Sequence, residues 1–109
     1  MSHHDIIRRP EMGAYILREV HEGRAEGVLV ARDESEEAVI VTAAGIMAVQ
    51  GYACRLVRMV DEALFAAQPQ SYRAEILPPC LPALSPESGE SAAVLARRML
   101  GLLLGNQRP

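Results

Sequence analysis

The sequence predicts a single α+β domain of two layers, in which helices pack on a small sheet. Its 109 residues are enough for one domain. Two short, continuously apolar runs, 28–31 and 38–42, are typical of strands covered on both faces. Longer stretches with apolar residues every three or four positions are typical of helices. The predicted order is an N-terminal helix, a β-hairpin, a long central helix, a possible third strand and a C-terminal helix.

The first predicted element is a helix from Pro10 to about His21. A proline followed by Glu11 favours a first helical turn, because proline needs no amide partner there and the acid lies at the positive end of the helix dipole. Apolar residues then recur at helical spacing, and Gly23 is a typical stop signal. Residues 1–9, which precede this helix, are expected to be flexible.

A β-hairpin is the second predicted element. Its strands are the apolar runs 28–31 and 38–42, and the segment between them includes residues 33–37, with four acids in five positions. We interpret this acidic segment as the solvated tip of the hairpin. Two strands alone are only marginally stable, so the hairpin needs helices, another strand or a second copy of the chain to cover it.

A long central helix is predicted over residues 43–67, with Thr42 as its N-cap. Apolar residues step by three and four along one stripe, and Pro69 ends the pattern. Alternating apolar and charged residues over 72–77 then indicate a possible third strand. These elements define a predicted core domain spanning residues 10–77.

Beyond this core, the sequence predicts a proline-rich spacer at 78–86 and a C-terminal helix at 87–105. The helix is apolar on nearly all sides, so it either inserts into its own core or docks on a second subunit or partner protein. Association with a membrane surface would require more basic residues on its polar face. The predicted interface residues are Leu95, Met99, Leu100, Leu103 and Leu104.

Composition excludes several classes of function. The chain has eleven arginines and no lysine, which excludes a phosphate-binding loop with its lysine and a Schiff-base lysine. Its net charge of −3 argues against nucleic-acid binding, and no apolar run is long enough to cross a membrane. Two cysteines without a paired motif favour a reducing compartment, so we expect a cytoplasmic protein. No cofactor and no catalytic residue is assigned from the sequence.

Two candidate sites remain. Arg55, Arg58 and Arg73 are potential anion-binding residues, because a guanidinium binds a carboxylate or phosphate through paired hydrogen bonds. His3 and His4 lie near the N-terminus, where an imidazole, an amine and backbone amides suit Cu(II) or Ni(II).

The function predicted from these observations is a small non-enzymatic interaction module, such as an adaptor, chaperone, inhibitor or regulatory subunit. It would form a homodimer and bind another protein through apolar helical surfaces. The alternative is a small-ligand-binding protein or cofactor-free enzyme at a subunit interface. In that alternative, the three arginines would hold an anion, and Glu62 or Glu75 would transfer protons.

Overall fold

A computed structural model describes residues 10–19 and 24–106 of the chain. These residues form four strands in one mixed sheet and four α-helices, which confirms the predicted α+β class. In chain order, a 3-10 turn (Pro10–Met12) is followed by β1 (Ala14–Arg18), β2 (Gly27–Ala31), α1 (Glu34–Val49), β3 (Cys54–Met59), α2 (Glu62–Ala66), α3 (Gln70–Ile76), β4 (Ala83–Leu84) and α4 (Ala92–Asn106).

The strands are arranged in the order β1-β3-β2-β4. β2 is parallel to both β3 and β4, whereas β1 is antiparallel to β3. β2, α1 and β3 therefore form a βαβ unit, in which the helix crosses one face of the sheet to connect two parallel neighbours. The parallel strands end at the same edge of the sheet, and this edge carries the candidate site described below.

Helices cover both faces of the sheet. Leu29 of β2 and Leu56 of β3 pack with buried residues of α1 and α4. Val28 and Val57, which lie next to them in sequence and point to the opposite face, pack with residues of α2 and α3. The expectation that strand 28–31 is covered on both faces is confirmed. The structure therefore has one sheet between two helical layers, where the sequence predicted one helical layer on one sheet.

The predicted N-terminal helix is not present. Its first residues form only the 3-10 turn, and the apolar residues that follow belong to β1 at an edge of the sheet. Gly13 separates the two elements at φ +93°, a conformation incompatible with a helix. The run Tyr15-Ile16-Leu17 is favoured in strands, and its apolar residues fit helical spacing equally well.

The predicted hairpin is also wrong, because only its first strand forms. The acidic segment 33–37 begins α1, and the apolar run 38–42 continues that helix. Asp33 is the N-cap, since its Oδ1 accepts a hydrogen bond from the amide of Glu36 at 2.8 Å. Three glutamates in the first turn also lie favourably at the positive end of the helix dipole.

The long central helix predicted over 43–67 is divided among three elements. α1 ends at Val49, and Gly51 then adopts a φ of +90°, which favours glycine and ends the helix. β3 follows, in the middle of the sheet with residues buried on both of its faces. Asp61 then caps α2 by accepting a hydrogen bond from the amide of Leu64 at 3.0 Å.

The third strand predicted over 72–77 is instead part of α3, and the proline-rich spacer contributes the short strand β4. Directly before β4, the carbonyl of Pro82 accepts a hydrogen bond from the amide of Val28 at 2.9 Å, so this segment is tied to the sheet. The division of the chain at this spacer stays a prediction. The C-terminal helix is present as α4, and it begins after Ser91, whose hydroxyl accepts a hydrogen bond from the amide of Val94 at 3.2 Å.

Candidate functional site

A cleft of about 750 Å³ lies where β2 and β4 end. The carboxyl ends of parallel strands are where open α/β sheets commonly bind ligands, which makes this cleft the first candidate site. One side is formed by the start of α1 and the other by the loop between β4 and α4. Its lining residues are Arg32, Asp33, Ser35, Glu36, Val39, Ser85, Pro86, Glu87, Ser88, Gly89 and Glu90.

An arginine joins the two sides of the cleft. The guanidinium of Arg32 donates to both carboxylate oxygens of Glu36, at 2.9 and 2.6 Å, and to the carbonyl of Pro86 at 2.6 Å. Hydrogen bonding to Arg32 lowers the pKa of Glu36 and raises that of the guanidinium. The pKa of Asp33 is also lowered, chiefly by the amide of Glu36 and then by the hydroxyl of Ser35. These acids are therefore ionised at neutral pH.

A second ion pair holds the loop against α4. Arg98 donates from Nε and Nη2 to the two carboxylate oxygens of Glu90, at 2.6 and 2.7 Å, and from Nη2 to the carbonyl of Ser85 at 3.0 Å. The Glu90 side chain is only 5% exposed and also accepts the amide of Glu87. Hydrogen bonding to Arg98 lowers the pKa of Glu90 to about 2. This bidentate pair fixes the loop to the last helix.

The Glu90–Arg98 pair makes the stability of the chain sensitive to acid. A carboxyl with a depressed folded-state pKa stabilises the fold above its unfolded pKa, about 4.5 here, and that contribution is lost as pH falls toward about 2. We expect Glu90→Gln to lower the free energy of unfolding at pH 7 by about 1–3 kcal/mol, the usual range for a hydrogen bond to a charged group. Denaturant titrations of both proteins at pH 7 and pH 3 measure the difference.

The difference between wild type and Glu90→Gln should shrink at pH 3, because the Glu90 carboxyl of the unfolded wild-type chain is protonated below about pH 4.5 whereas the folded one is still ionised, and this proton uptake stabilises the unfolded state. Glu87→Gln is the matched control, since Glu87 lies in the same loop with an exposed side chain. That control should change stability by less than about 0.5 kcal/mol. An equal loss in the two variants, or a difference for Glu90→Gln that is unchanged at pH 3, would contradict the assigned role of the pair.

The charges of the cleft disfavour a phosphorylated ligand. Four acids, Asp33, Glu36, Glu87 and Glu90, line it, against the single arginine Arg32. Arg32 is already bound to Glu36, and Asp33 occupies the amide of Glu36 at the start of α1. A phosphate would therefore meet net negative charge, and the Nε and Nη2 donors of Arg32 are already engaged. The arrangement is better suited to holding the loop in place than to binding an anion.

The structure does not bring the three predicted anion-binding arginines together. Arg55 and Arg58 are three residues apart in β3 and point to opposite faces of the sheet. Arg55 donates to Glu19 at 2.8 and 3.1 Å and to the carbonyl of Glu75 at 2.6 Å. Arg58 pairs with Glu37 of α1.

The third of these arginines, Arg73, lies on α3, and its Nε donates to the carbonyl of Gln68 at 3.0 Å. The acids assigned to proton transfer do not form a shared site with the arginines either. Glu62 begins α2 with an exposed side chain, and the exposed Glu75 offers Arg55 only its backbone carbonyl. Anion binding by any of these arginines stays a prediction.

The predicted interface residues of α4 have two different environments. Leu95, Met99 and Leu103 are buried in the core beneath α1, which corrects the expectation that they contact a partner. They are buried because α4 lies against α1 along its length. Leu100 is partly buried at the edge of this core, whereas Leu104 is 49% exposed. Contact between a partner and these last two residues stays a prediction.

The predicted metal ligands His3 and His4 lie outside the described residues. Within residues 10–19 and 24–106, no group of three or more His, Cys, Asp or Glu side chains is arranged to hold a metal ion. Over the same residues, no helix is both long and apolar enough to cross a membrane. Cys54 is buried in the core, and burial raises its thiol pKa to about 11, so it is not a reactive nucleophile.

The outer face of α1 was missed by the sequence analysis. It comprises six exposed residues without charge: Ala38, Val41, Thr42, Gly45, Ala48 and Val49. Val49 is 88% exposed. Beyond its acidic first turn, the helix carries no charge on any side, a composition typical of helices that are covered on both sides, yet the sheet and α4 cover only one. The signal was the absence of charge in the sequence from residue 38 to residue 49.

Comparisons with known proteins relate most of the chain to one family. The family described as "Transketolase-like TK C-terminal domain" matches residues 13–103. The plasmid transketolase of Cupriavidus necator is 43% identical over 77 residues, which cover 71% of this chain and 11% of that enzyme. The chain therefore spans about a tenth of the length of this relative.

Solved transketolases have a similar fold. A transketolase from Pichia stipitis matches 88% of this chain and 18% of its own, with a TM-score of 0.75 at 22% identity. The transketolase of Leishmania mexicana matches 83% of this chain and 16% of its own, with a TM-score of 0.63 at 29% identity. Other structures of the Pichia stipitis enzyme are complexes with xylulose 5-phosphate and fructose 6-phosphate.

These similarities correct the function predicted from the sequence. The interpretation as a non-enzymatic adaptor, chaperone, inhibitor or regulatory subunit is wrong, because the matching family and the similar proteins are transketolases. The residues led to that interpretation because they carry no recognisable catalytic motif. A domain that forms one part of a larger enzyme does not need such a motif.

Proposed function

The chain belongs to the transketolase-like C-terminal domain family, and on this basis we propose that it functions as the C-terminal domain of a transketolase. The observation that carries the proposal is the extent of the match, which runs through every strand and into the last helix. The remaining parts of the enzyme are supplied by the same polypeptide or by another one. The proposed reaction is the ketol-group transfer after which the family is named, with sugar phosphates as the substrate class.

The proposed contact with the rest of the enzyme is the α1 outer face defined above. A helix face without charge can be covered by another protein surface without desolvating an ion. Its small residues, Ala38, Gly45 and Ala48, allow a close approach, and Val41 and Val49 supply apolar area. The C. necator match leaves about nine-tenths of that enzyme to provide the opposing surface. The acidic cleft, by contrast, is not proposed to bind the phosphorylated substrate.

We further propose that the assembled enzyme is a cytoplasmic homodimer. Two-fold symmetry is the commonest arrangement of soluble oligomers. The cysteines Cys54 and Cys80 are free, in keeping with a reducing compartment.

The proposal predicts that this chain restores activity to a transketolase that lacks its own C-terminal domain. The test uses the C. necator enzyme truncated before that domain, and measures ketol transfer from xylulose 5-phosphate with and without the purified chain. We expect the rate to rise with added chain and to saturate. No change in rate at any concentration of the chain would contradict the proposal.

Variants of the chain locate the contact. Val41→Glu and Val49→Glu each place a charge on the α1 outer face, which should weaken docking at least about tenfold because a buried unpaired charge is strongly unfavourable. Leu64→Glu is the matched control, since Leu64 is also an exposed apolar residue but lies on α2, on the opposite side of the sheet. Equal effects of all three substitutions would reject this surface as the contact.

A further inference from the structure

A second, smaller groove lies on the opposite side of the sheet from α1. It has a volume of about 280 Å³ and is formed by α2, α3 and the segment that follows α3. Four apolar residues, Phe65, Ala74, Leu77 and Pro79, line it together with the polar side chains of Gln70 and Arg73. A mostly apolar concavity with a few convergent polar groups is the usual form of a small-molecule site.

The wall of this groove is held in a fixed position. Phe65 is buried, and its ring contacts the ring of Tyr72 edge-on, with centroids 6.2 Å apart. The hydroxyl of Tyr72 donates to the carbonyl of Ala14 at 2.8 Å, which ties α3 to the first strand of the sheet. An apolar ligand would therefore meet a preformed surface rather than one that must be ordered on binding.

Arg73 supplies the charge of the groove. Its Nε donates to the carbonyl of Gln68 at 3.0 Å, which orients the guanidinium and leaves its two terminal nitrogens available as donors. In the part of the chain that the structure describes, no carboxylate lies within ion-pair distance of Arg73. By contrast, Arg32, Arg55, Arg58 and Arg98 each pair with a glutamate.

We propose that this groove binds a small organic monocarboxylate with a compact apolar body. The terminal nitrogens of Arg73 bind the carboxylate through two parallel hydrogen bonds, the amide of Gln70 offers a further polar contact, and the apolar body lies against Phe65 and Leu77. The volume corresponds to about nine water molecules, and so to a ligand of roughly ten non-hydrogen atoms. The single guanidinium of Arg73 balances the one negative charge of a monocarboxylate. A phosphate would have only this one cation as a partner, and its remaining oxygens would face apolar walls.

The experiment is a titration of the full chain with phenylacetate, followed by the backbone amide resonances of residues 65–79. We expect saturable shifts centred on Phe65, Ala74 and Leu77. Phenylacetamide, which has the same shape without the charge, should bind at least about tenfold more weakly, because it loses the charge-assisted hydrogen bonds. Inorganic phosphate, which has no apolar body, should shift these resonances less than phenylacetate at equal concentration.

Two variants test the assigned residue. Arg73→Gln should weaken phenylacetate binding at least about tenfold while leaving the amide spectrum outside residues 65–79 unchanged, which shows that the variant is folded. Arg97→Gln is the matched control, because Arg97 is an exposed arginine on α4, on the other side of the sheet, and it should bind as wild type. The proposal is overturned by non-saturable shifts, by equal binding of phenylacetamide or phosphate, or by equal effects of the two substitutions.

Discussion

Replacing Gly13 with alanine is expected to lower the free energy of unfolding by about 3–5 kcal/mol, in the upper range of single substitutions. Gly13 has a φ of +93°, and a Cβ added there would lie 2.3 Å from the amide nitrogen of Phe65 and 2.7 Å from the carbonyl oxygen of Asp61. Both atoms belong to the backbone of the α2 region, so neither can rotate away. Urea denaturation of the two proteins measures the loss.

The backbone around Gly13 adds to this effect. The carbonyl of Gly13 accepts hydrogen bonds from the amides of Val60 at 2.8 Å and Asp61 at 3.0 Å, which connect the turn before β1 to the start of α2. Moving the turn to accommodate a methyl group would weaken both bonds.

Gly45→Ala is the matched control for this prediction. Gly45 lies inside α1, and nothing lies within 4 Å of a Cβ built there. Alanine should raise stability by about 0.5–1 kcal/mol, because it favours the helix more than glycine does. Similar changes in stability for the two variants would contradict the close approach described at Gly13.

The second large effect is expected for Leu95→Ala, which should lower the free energy of unfolding by about 2–5 kcal/mol. Leu95 is fully buried between α4 and the sheet, so truncation removes apolar contacts and leaves a cavity. Leu104→Ala, on the same helix, should change stability by less than about 1 kcal/mol, because half of that side chain is already exposed.

This pair of variants separates the two environments of α4. Denaturant unfolding of both proteins, with circular dichroism as the readout, gives the two stabilities under one set of conditions. Comparable losses for Leu95→Ala and Leu104→Ala would mean that α4 is not packed into the core of its own chain as described.

The sequence was sufficient to predict one strand and one helix, because the burial of apolar residues dominates both. The strand at 28–31 was predicted correctly because its residues are apolar on both faces, a pattern typical of a strand between two helical layers. The C-terminal helix was also predicted, because its apolar spacing extends over several turns without a proline. Together these features were enough for the α+β class.

Elements between these two could not be assigned from apolar spacing alone. The run 38–42 is short and continuous, and such a run fits a buried strand or a buried helix equally well. The decisive signal was Asp33 followed three residues later by Glu36, a typical helix start, which we interpreted as the tip of a hairpin. Because of the same ambiguity, the end of α1, β3 and α2 were together predicted as one long helix.

The candidate sites were harder to predict, because they depend on long-range contacts. Arg98 was not assigned a role from the sequence, because its partner Glu90 lies in the preceding loop and positions it against Ser85. Arg55 and Arg58 were assigned as anion-binding residues on the chemistry of the guanidinium alone, and the strand that contains them separates their side chains. The α1 outer face was overlooked because its residues were divided between a hairpin and another helix.

The central claim is that this chain assembles with the rest of a transketolase through the α1 outer face. Analytical ultracentrifugation of the chain mixed with the truncated C. necator enzyme measures that assembly most directly. We expect one species that contains both components in equal numbers. This species should be lost when Val41→Glu replaces the wild-type chain, and retained when Leu64→Glu does. Separate sedimentation of the wild-type chain and the truncated enzyme at all concentrations would contradict it.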